Sequence, residues 1–396
     1  MATPKKEKYS RKERIFTVTG IICEYNPFHA GHKKQLDIVR QQDPTGAIVC
    51  LMSGDFVQRG APAVFDKTVR AKAALLAGAD LVLELPVTGA LSSAEGFAAT
   101  GVSILSPFCQ QLSFGAENAV SEALIAIAES LLSSAFSEHL KLQLEKGLSF
   151  PAARQAALTE MGVDPALLSL PNNILAVEYC KAILAQKSDM KPAPILRQGS
   201  YHDTAPDQEN PSATSLRALI EKRQDWVSYI PAEARATLEY ATVHSLAYGE
   251  RAILAKLRTM TDAKFEQLPF GSEGLWRKLM HAARKEATLE AIIAATKSKR
   301  YTRTRIDRMV LCAFLGITDE MLRSPVPYVR VLALNDRGRE VLKQARKTGH
   351  FPNIGQRLDE PYQDLEDRCS ALYGLFARNS EPPNAGRTHR IYYHDG

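Results

Sequence analysis

The stretch GIICEYNPFHAGH, residues 20–32, decides the fold. An apolar run passes directly into the turn residues Asn26 and Pro27, and two histidines, His29 and His32, follow just before a helical pattern begins. Helix N-termini favour anions because unpaired backbone N–H groups and the helix dipole point toward them. We therefore predict a strand, a phosphate-binding loop and a helix in this order. Taken alone, a His-x-Gly-His pattern also fits structural or metal-binding histidines.

Short apolar runs alternate with helical patterns through the first half of the chain. Candidate strands are residues 16–23, 47–52, 81–85, 112–114 and 194–196, and candidate helices are residues 33–42 and 67–78. This alternation is typical of strand–helix–strand units with a parallel sheet. It predicts a doubly wound, Rossmann-like α/β domain.

The second half of the chain is predominantly helical in pattern. Long helical patterns cover residues 232–246, 273–295 and 304–315, and one further strand is indicated at 329–334. We divide the chain into a basic N-terminal tail (1–15), an α/β domain (16–220), a mainly α-helical, basic C-terminal domain (221–380) and an irregular tail (381–396).

Composition excludes several classes of protein. With 45% hydrophobic and 24% charged residues, the composition is that of a globular protein and not of a disordered or fibrous one. With 396 residues, the chain is longer than chains with a single hydrophobic core usually are. The most apolar stretch, 73–90, contains Asp80, Glu84 and Pro86, which a membrane-spanning helix could not easily carry. The basic tail lacks the apolar segment of a signal peptide, and the six cysteines form no CxxC pair. A cytoplasmic protein without membrane association, protein metal site or evident obligate protein partner is expected.

Positive charge is concentrated in one window. Residues 251–310 contain fourteen Lys or Arg against six acids, whereas the whole chain has a net charge of +6. Such a concentration indicates a surface for a polyanion, although solvated basic helices would give the same count.

Eight motifs in this order resemble one known family. They are EYNPFHAGH (24–32), SGDFVQRG (53–60), GADLVLELP (78–86), FGAEN (114–118), PNNILAVEY (171–179), SYHD (200–203), SATSLR (212–217) and KRYTRTRIDR (299–308). Together they resemble the bacterial tRNA(Met) cytidine acetate ligase family of the nucleotidyltransferase superfamily. The resemblance implies a nucleotidyltransferase-type ATP-binding catalytic domain at 16–220 and a tRNA-binding domain at 221–380.

The resemblance also implies a two-step reaction. Acetate attacks the α-phosphate of ATP to give acetyl-adenylate and pyrophosphate, and N4 of the wobble cytidine of elongator tRNA(Met) then takes the acetyl group. The product is N4-acetylcytidine. ATP, acetate and elongator tRNA(Met) are thus the expected partners, and Mg²⁺ is expected to accompany ATP through its phosphates.

The same resemblance assigns the nucleotide site. His29 and His32 would stabilise charge on the phosphates, and Gly115, Asn172 and Arg197 would contact the nucleotide. The full set expected to bind ATP is Ile22, Glu24, Tyr25, Asn26, Pro27, Phe28, His29, Gly31, His32, Gln35, Gly115, Asn172, Arg197, Ser212, Thr214, Ser215 and Arg217. Helix capping, a plain turn glycine or a surface salt bridge are the alternatives for the members after Gln35.

Two further groups complete the predicted site. Asp55 and Arg59 follow the second strand, where ligands of open α/β sheets collect, and would act on the acceptor amine and on acetate or a tRNA phosphate. Hydrogen bonding within the loop is the alternative. The predicted tRNA contacts are Lys299, Arg300, Tyr301, Arg303, Arg305 and Arg308, with Tyr301 stacking on an unpaired base.

Two other functions remain open on the sequence alone. One is an adenylyltransferase acting on a small phosphorylated cofactor precursor, which would not need the basic helical half. The other is a non-catalytic RNA-binding protein with a vestigial nucleotide site, which the intact histidine motif and hydroxyl-rich SATSLR disfavour.

Overall fold

A mixed sheet forms the centre of the fold in our computed structural model, which describes residues 16–197, 211–298, 300–326, 329–347, 361–383 and 391–395. The strands are β1 (Val18–Cys23), β2 (Ala47–Ser53), β3 (Phe56–Val57), β4 (Ala61–Pro62), β5 (Leu81–Leu85), β6 (Gln111–Ala116), β7 (Lys191–Leu196), β8 (Val331–Leu334) and β9 (Tyr392–Tyr393). The tail 1–15, the SYHD motif and Lys299 lie outside the described residues.

The sheet has the order β7-β6-β1-β2-β5-β8-β9. Strands β7, β6, β1, β2 and β5 run parallel, and the chain winds first to one side of β1 and then, from β6, to the other. The predicted doubly wound α/β fold is therefore confirmed. In such sheets the crevice between β1 and β6, where the winding reverses, is the ordinary place for a ligand.

Helices cover both faces of the sheet and form most of the second half. They are α1 (Ala30–Gln42), α2 (Lys67–Leu76), α3 (Val87–Ala90), α4 (Ala94–Leu105), α5 (Ser121–Leu132), α6 (Ser134–Glu145), α7 (Phe150–Glu160), α8 (Pro171–Ala185), α9 (Ala213–Glu221), α10 (Ala232–Glu239), α11 (Leu246–Thr259), α12 (Asp262–Glu266), α13 (Leu275–Lys285), α14 (Leu289–Thr296), α15 (Arg303–Leu315), α16 (Asp319–Arg323), α17 (Asp336–Lys347) and α18 (Pro361–Tyr373).

Alternate residues of the central strands face two separate cores. On β2, Val49 and Leu51 pack with α4, α5 and α8, whereas Ile48 and Cys50 pack with α1, α2 and α10. A third core joins α11, α13, α14, α15 and α18 and reaches the sheet side through Phe56. The helical half therefore has its own core.

The hairpin β3–β4 connects the two halves. Gly60, in its turn, has a backbone φ of +81°, and a Cβ placed on it would lie 2.4 Å from the backbone nitrogen of Arg308 in α15. Only glycine allows both the conformation and this approach. Gly60, the last residue of the SGDFVQRG motif, therefore allows α15 to pack closely against the hairpin.

Two long helical predictions were wrong in their continuity. The predicted helix 232–246 ends at Glu239 as α10, and α11 begins only at Leu246; the predicted helix 273–295 is divided into α13 and α14. In each case a residue with a capping hydroxyl starts the second helix: Ser245 accepts from the backbone N–H of Ala247, and Thr288 accepts from that of Ala291. The apolar spacing continues across both breaks, so periodicity alone did not show them.

The C-terminal part of the chain returns to the sheet. The predicted strand at 329–334 is β8, which pairs antiparallel with β5, and β9 adds to β8 from the tail predicted to be irregular. The structure corrects that prediction, because Tyr392 and Tyr393 pack against the cores on opposite faces. The sheet is therefore not confined to residues 16–220. Within the described chain, no helix is both long and apolar enough to span a membrane.

Candidate functional site

The two histidines of the His-x-Gly-His motif cap the helix that follows β1. His29 is the N-cap of α1, and its Nδ1 accepts a hydrogen bond from the backbone N–H of Gly31 at 3.1 Å. His32 reaches back in turn, so that its Nδ1 accepts from the backbone N–H of His29 at 3.3 Å. This reciprocal arrangement is a capping box built from histidines.

Capping fixes the tautomer of both rings. Because each Nδ1 accepts a hydrogen bond, each neutral imidazole must carry its proton on Nε2. The rings of His29 and His32 stack with their centroids 3.7 Å apart, and a Cβ on Gly31 would lie 3.1 Å from the His29 ring. The motif therefore presents two Nε2–H donors side by side, and its glycine leaves room for the first ring.

Both imidazoles are held in the neutral form. Burial, followed by the charges of Arg197 and Arg217, lowers the pKa of His29 to about 3. Burial also lowers the pKa of His32 well below its ordinary value, with His29 and Arg197 adding to the effect. A neutral donor does not have to lose or gain a proton when an anionic ligand binds.

We expect His29 to make the stability of the chain depend on pH. Its pKa is about 3 in the fold and about 6.5 in an unfolded chain, so between these values the unfolded state binds one more proton. The free energy of unfolding should fall as pH decreases through this window, by up to about 1.4 kcal/mol per pH unit for this proton. Urea unfolding at about pH 7 and about pH 5 measures it, with His29→Asn as the comparison. A wild type that loses no more stability than the variant would contradict the assignment.

An open cleft with a cavity volume of about 90 Å³ lies at the switch point of the sheet. Its lining comes from the N-cap and first turns of α1, from β6, from the end of β7 with the residue after it, and from the segment before α9: His29, Gly31, His32, Lys34, Gln35, Ile38, Gly115, Ile195, Leu196, Arg197 and Pro211. The described lining contains two cationic side chains and no carboxylate.

The side chain of Arg197 lies against Gly115 in the lining of the cleft. A Cβ on Gly115 would lie 3.0 Å from Cγ of Arg197, and Arg197 Nη1 donates to Oδ1 of Asn172 at 3.3 Å. Glu117, from the loop after β6, caps the N-terminus of α8. Its carboxylate accepts hydrogen bonds from the side-chain amide of Asn172 and from the backbone N–H of Asn173. The structure thus brings Gly115, Asn172 and Arg197 together, as the sequence predicted for nucleotide contacts.

The SATSLR segment starts α9 with a network of hydroxyls. Ser212 is the N-cap and accepts from the backbone N–H of Ser215 at 3.1 Å, and its hydroxyl also contacts that of Ser215. Arg217 donates to Oγ1 of Thr214 and, at 2.6 Å, to the backbone oxygen of Asn26. The segment therefore caps its helix and holds the loop that carries the two histidines.

Most of the other residues predicted to bind ATP support the loop instead. Ile22, Tyr25, Asn26, Pro27 and Phe28 are buried. Asn26 accepts from the backbone N–H of Val64 through its side chain, and the Tyr25 ring lies 4.8 Å from that of His32. None of these side chains is among the described residues lining the cleft. In this structure their side chains position the loop, because an apolar run that enters it packs inward, and their contact with ATP stays a prediction.

Glu24 and Gln35 have specific protein partners. Glu24 accepts from the backbone N–H of Gln58 at 2.7 Å. Gln35 lines the cleft and has its amide nitrogen 3.4 Å from Oγ of Ser113. Of the two, the structure places only Gln35 at the predicted site.

Asp55 does not lie in the cleft. It is buried, with its Oδ2 3.1 Å from Nζ of Lys67 and 2.7 Å from the donating hydroxyl of Ser370. Its predicted action on the acceptor amine is not supported by this placement. The sequence did not show the contact with Ser370, because that residue is more than three hundred positions away. Arg59 is exposed in the hairpin turn, where its charge acts on Arg217.

The basic segment at 300–308 is already engaged with other parts of the protein. Arg300 and Arg303 form ion pairs with Glu273 and Glu290, the second bidentate. Arg305 donates to the backbone oxygen of Phe270 and to Ser272. These cations are less available to an external anion than the sequence indicates.

Two members of this segment are buried. Tyr301 is 8% exposed, its hydroxyl donates to Glu273 and the guanidinium of Arg305 covers its ring. A base cannot stack on it in this conformation, so that prediction is corrected. Arg308 is also 8% exposed, and it donates to the backbone oxygen of Gln58 in the hairpin.

Sequence reasoning missed three residues at or next to the cleft and the buried partner of Asp55. Lys34 and Pro211 line the cleft, Glu117 caps α8, and Lys67 is the fully buried partner of Asp55. Two of them could have been found from the sequence, because Lys34 lies two positions after the histidine motif and Glu117 is part of the FGAEN motif. Lys67 had no such signal. Among the described residues, no cluster of three or more His, Cys, Asp or Glu could hold a metal ion.

Comparison with known proteins agrees with the fold and the cleft. The sequence matches the HIGH Nucleotidyl Transferase family over residues 16–386. A tRNA(Met) cytidine acetate ligase of Clostridium acetobutylicum is 35% identical over 389 residues, which covers 92% of this chain and 97% of the relative. One from Anoxybacillus flavithermus is 34% identical over 374 residues, with coverage of 89% and 93%.

Solved structures give the same result. The apo crystal structure of Thermotoga maritima TmcAL is similar with a TM-score of 0.88 and 29% identity, covering 96% of this chain and 100% of that one. The same protein bound with alpha-thio ATP gives a TM-score of 0.86 at 28% identity, again covering 96% of this chain and 100% of that one.

A switch-point cleft with a histidine capping box defines a nucleotidyltransferase-type protein. The relatives that match over most of the chain also identify the group within that class. The chain belongs to the HIGH nucleotidyltransferase family and, within it, to the tRNA(Met) cytidine acetate ligases. The family expected from the sequence motifs is confirmed.

Proposed function

We propose that this chain is an ATP-dependent tRNA(Met) cytidine acetate ligase. It activates acetate as acetyl-adenylate and transfers the acetyl group to N4 of the wobble cytidine of elongator tRNA(Met). The observation that carries the proposal is the pair of neutral Nε2–H donors at the switch-point cleft, in a chain whose relatives carry this name. The relatives' names support the ligase over a small-molecule adenylyltransferase.

The first step places ATP in the cleft. One acetate oxygen attacks the α-phosphorus, the new P–O bond forms, and the bond to the β-phosphate oxygen breaks with release of pyrophosphate. His29 and His32 donate through Nε2 to the phosphate oxygens on which charge develops. Because both rings are neutral and held by the helix start, they need no rearrangement during the step.

The cations around the cleft hold the remaining phosphate charge. Arg197 and Lys34 line the cleft, and the hydroxyls of Ser212 and Thr214 stand at the start of α9, where backbone N–H groups favour anions. We assign these groups to the phosphates. Asn172 and Gly115, which contact Arg197, are assigned to the nucleoside.

The second step transfers the acetyl group. The cytidine amine attacks the acetyl carbon, the C–N bond forms and the C–O bond to AMP breaks. AMP leaves with the electron pair, and the proton lost from nitrogen passes to solvent. The mixed anhydride makes this possible because AMP is a far better leaving group than an oxide from free acetate.

Mg²⁺ would enter with ATP. The described cleft lining has no carboxylate, so the residues do not fit a metal held by the protein, and carriage on the phosphates is the arrangement we propose. All six cysteines are buried and free, which supports our proposal that the protein works in the reducing cytoplasm.

The outward face of α13 is our candidate for contact with the tRNA backbone. Arg277, Lys278 and Lys285 are exposed on this helix. None of them has an ion-pair partner among the described residues, in contrast to Arg300 and Arg303. Replacing Arg277 and Lys285 together by Ala should lower the slope of log binding constant against log salt by about 1 to 2, because each lost phosphate contact removes roughly 0.7 to 0.9.

The matched control is Arg300→Ala with Arg303→Ala. Those two cations are already neutralised by carboxylates, so we expect a smaller change in slope. Filter binding of tRNA over a salt series measures both. A larger change in the control pair would place the contact on the segment 300–308 instead of α13.

The proposed function is tested by incubating the purified protein with ATP, labelled acetate and bacterial tRNA. Label in N4-acetylcytidine that depends on ATP is the expected result. Pyrophosphate release without labelled tRNA would leave the adenylation step and show that the acceptor is wrong. If neither product forms with folded protein, the chain is not this ligase.

A further inference from the structure

A second open groove with a cavity volume of about 920 Å³ lies beside the loop that carries the two histidines. Its walls come from the hairpin strand β4, from α9, from the segment 242–248 at the start of α11 and from the residues after α18. This volume is at the upper end of the roughly 300–1,000 Å³ of ligand sites. The side chains that line the groove, and not its size, indicate which ligand it takes.

Two residues of the groove hold the loop that leads to the nucleotide cleft. Arg217 lines the groove and donates to the backbone oxygen of Asn26 at 2.6 Å. Val64, also in the wall, donates its backbone N–H to Oδ1 of Asn26 at 2.7 Å. Asn26 stands three residues before His29, whose pKa the charge of Arg217 helps to lower after the larger effect of burial and that of Arg197. A chain bound in the groove would thus approach the cleft at the histidine loop.

The groove offers the groups that single-stranded RNA requires. Arg223 and Arg378 line it and are exposed, and no ion pair engages either of them within the described chain. Tyr248 also lines it, with 45% of its surface exposed. Cations track a phosphate backbone, and an exposed ring stacks on an unpaired base.

A carboxylate in the groove is held by a buried histidine. Glu381 lines the groove, with its Oε2 3.4 Å from Nε2 of His244. His244 is 3% exposed and stacks on the ring of Tyr373, with centroids 4.0 Å apart. A fixed carboxylate oxygen is the natural acceptor for the exocyclic amine of a cytosine.

We propose that this groove binds the acceptor segment of the RNA in unpaired form. Tyr248 stacks on a base, Arg223 and Arg378 contact the flanking phosphates, and Glu381 accepts a hydrogen bond from an exocyclic amine. The inference rests on the proposed function, since it names the site where that reaction's second substrate lies. It assigns α13 and the groove to different parts of the RNA: the paired backbone and the unpaired loop.

Tyr248→Ala tests the groove against a matched tyrosine. Tyr240 is 84% exposed and lies outside the groove lining, so Tyr240→Ala removes a surface ring without touching the site. Tyr248→Ala should reduce kcat/KM for acetyl transfer to tRNA about 5- to 100-fold, the range for loss of one stacked base. Acetate-dependent exchange of pyrophosphate into ATP, which needs no RNA, should stay unchanged in both variants. Equal transfer rates in the two variants would overturn the proposal.

Arg378→Ala provides the corresponding test of a phosphate contact. Arg346 on α17 is exposed and outside the groove lining, so Arg346→Ala is its control. Arg378→Ala should raise KM for tRNA with little change in kcat, whereas the control should match the wild type. Loss of pyrophosphate exchange in Arg378→Ala would instead show that the groove belongs to the adenylation site and would overturn the assignment.

Photo-cross-linking separates this inference from the proposed function. A tRNA(Met) transcript with 4-thiouridine beside the wobble position is irradiated with the full-length protein, and the cross-linked peptides are sequenced. Cross-links in the peptides of Tyr248 or Arg378 support the groove even if no acetyl transfer is found, in which case only the proposed reaction fails. Cross-links confined to other peptides overturn the groove while leaving the reaction intact.

Discussion

Replacing His29 by Asn is expected to lower the rate of acetate-dependent pyrophosphate exchange by about 10²–10³-fold, the effect of removing one donor to a charged transition state. The expected loss arises because Nε2–H disappears with the imidazole. Asparagine is itself a good N-cap residue, so the start of α1 should be retained. The exchange assay therefore reports on the chemistry with the helix in place.

The capping role can be separated from the donor role by two further variants. His29→Ala removes both functions and should add a loss of about 1 kcal/mol in the free energy of unfolding. His32→Gln keeps a side chain that is common at this position of a capping box, and it should lose exchange activity without that loss of stability. Exchange rates and urea unfolding of the three variants give a direct comparison.

A different outcome would assign the histidines to structure alone. If His29→Asn exchanged pyrophosphate at the wild-type rate while His29→Ala was slow and unstable, capping would account for the motif. The ATP site would then have to depend on Arg197 and Lys34. We expect the opposite, because both Nε2 protons are fixed by hydrogen bonds at Nδ1 on the cleft side of α1.

The sheet was predictable because its signal is local. Strands β1, β2 and β5 are mainly apolar runs buried along their whole length, as is typical of strands covered on both faces. The edge strand β9 has two residues and no pattern of its own. Its pairing with β8 depends on a chain segment some sixty positions earlier, which periodicity cannot show.

The candidate site was predictable in part for a similar reason. The histidines, Gly115, Asn172 and Arg197 follow strands or start helices, so the topology of the sheet alone brings them to one crevice. Charge was harder to interpret. From the sequence, Arg303 was expected to be available to an external anion. In the structure it forms an ion pair with Glu290, which depends on how α14 and α15 pack.

Lys67→Met should be the most destabilising single substitution considered, lowering the free energy of unfolding by about 3–5 kcal/mol. Lys67 is fully buried, and its Nζ lies 3.1 Å from Asp55, 2.8 Å from Glu84 and 2.9 Å from the hydroxyl of Ser370. Burial alone would lower the pKa of Lys67, but the two carboxylates raise it above its ordinary value. Without the ammonium group, Asp55 would lose its cation, and Glu84 would keep Arg330, whose Nη1 lies 3.5 Å away.

The cluster joins elements that are distant in sequence. Asp55 follows β2, Lys67 starts α2 and Glu84 lies in β5, while Ser370 comes from α18. Glu366, one turn earlier on α18, accepts from the backbone N–H of Val87 at 2.6 Å. Loss of Lys67 should therefore weaken the packing of α18 on the sheet as well as destabilise the buried carboxylates of Asp55 and Glu84. Amide hydrogen exchange of α18 should rise first.

A lysine in an exposed pair gives the matched control. Lys343 on α17 lies 3.4 Å from Glu340, and the side chains of both are well exposed, so Lys343→Met should change stability by less than about 1 kcal/mol. The loss in Lys67→Met should also shrink as pH falls toward about 5, since a buried carboxylate with no cation takes up a proton more readily than an unfolded one. Equal stability of the two variants at every pH would mean that Asp55 and Glu84 do not depend on Lys67. Asp55 would then be free for the catalytic role that its buried ion pair now argues against.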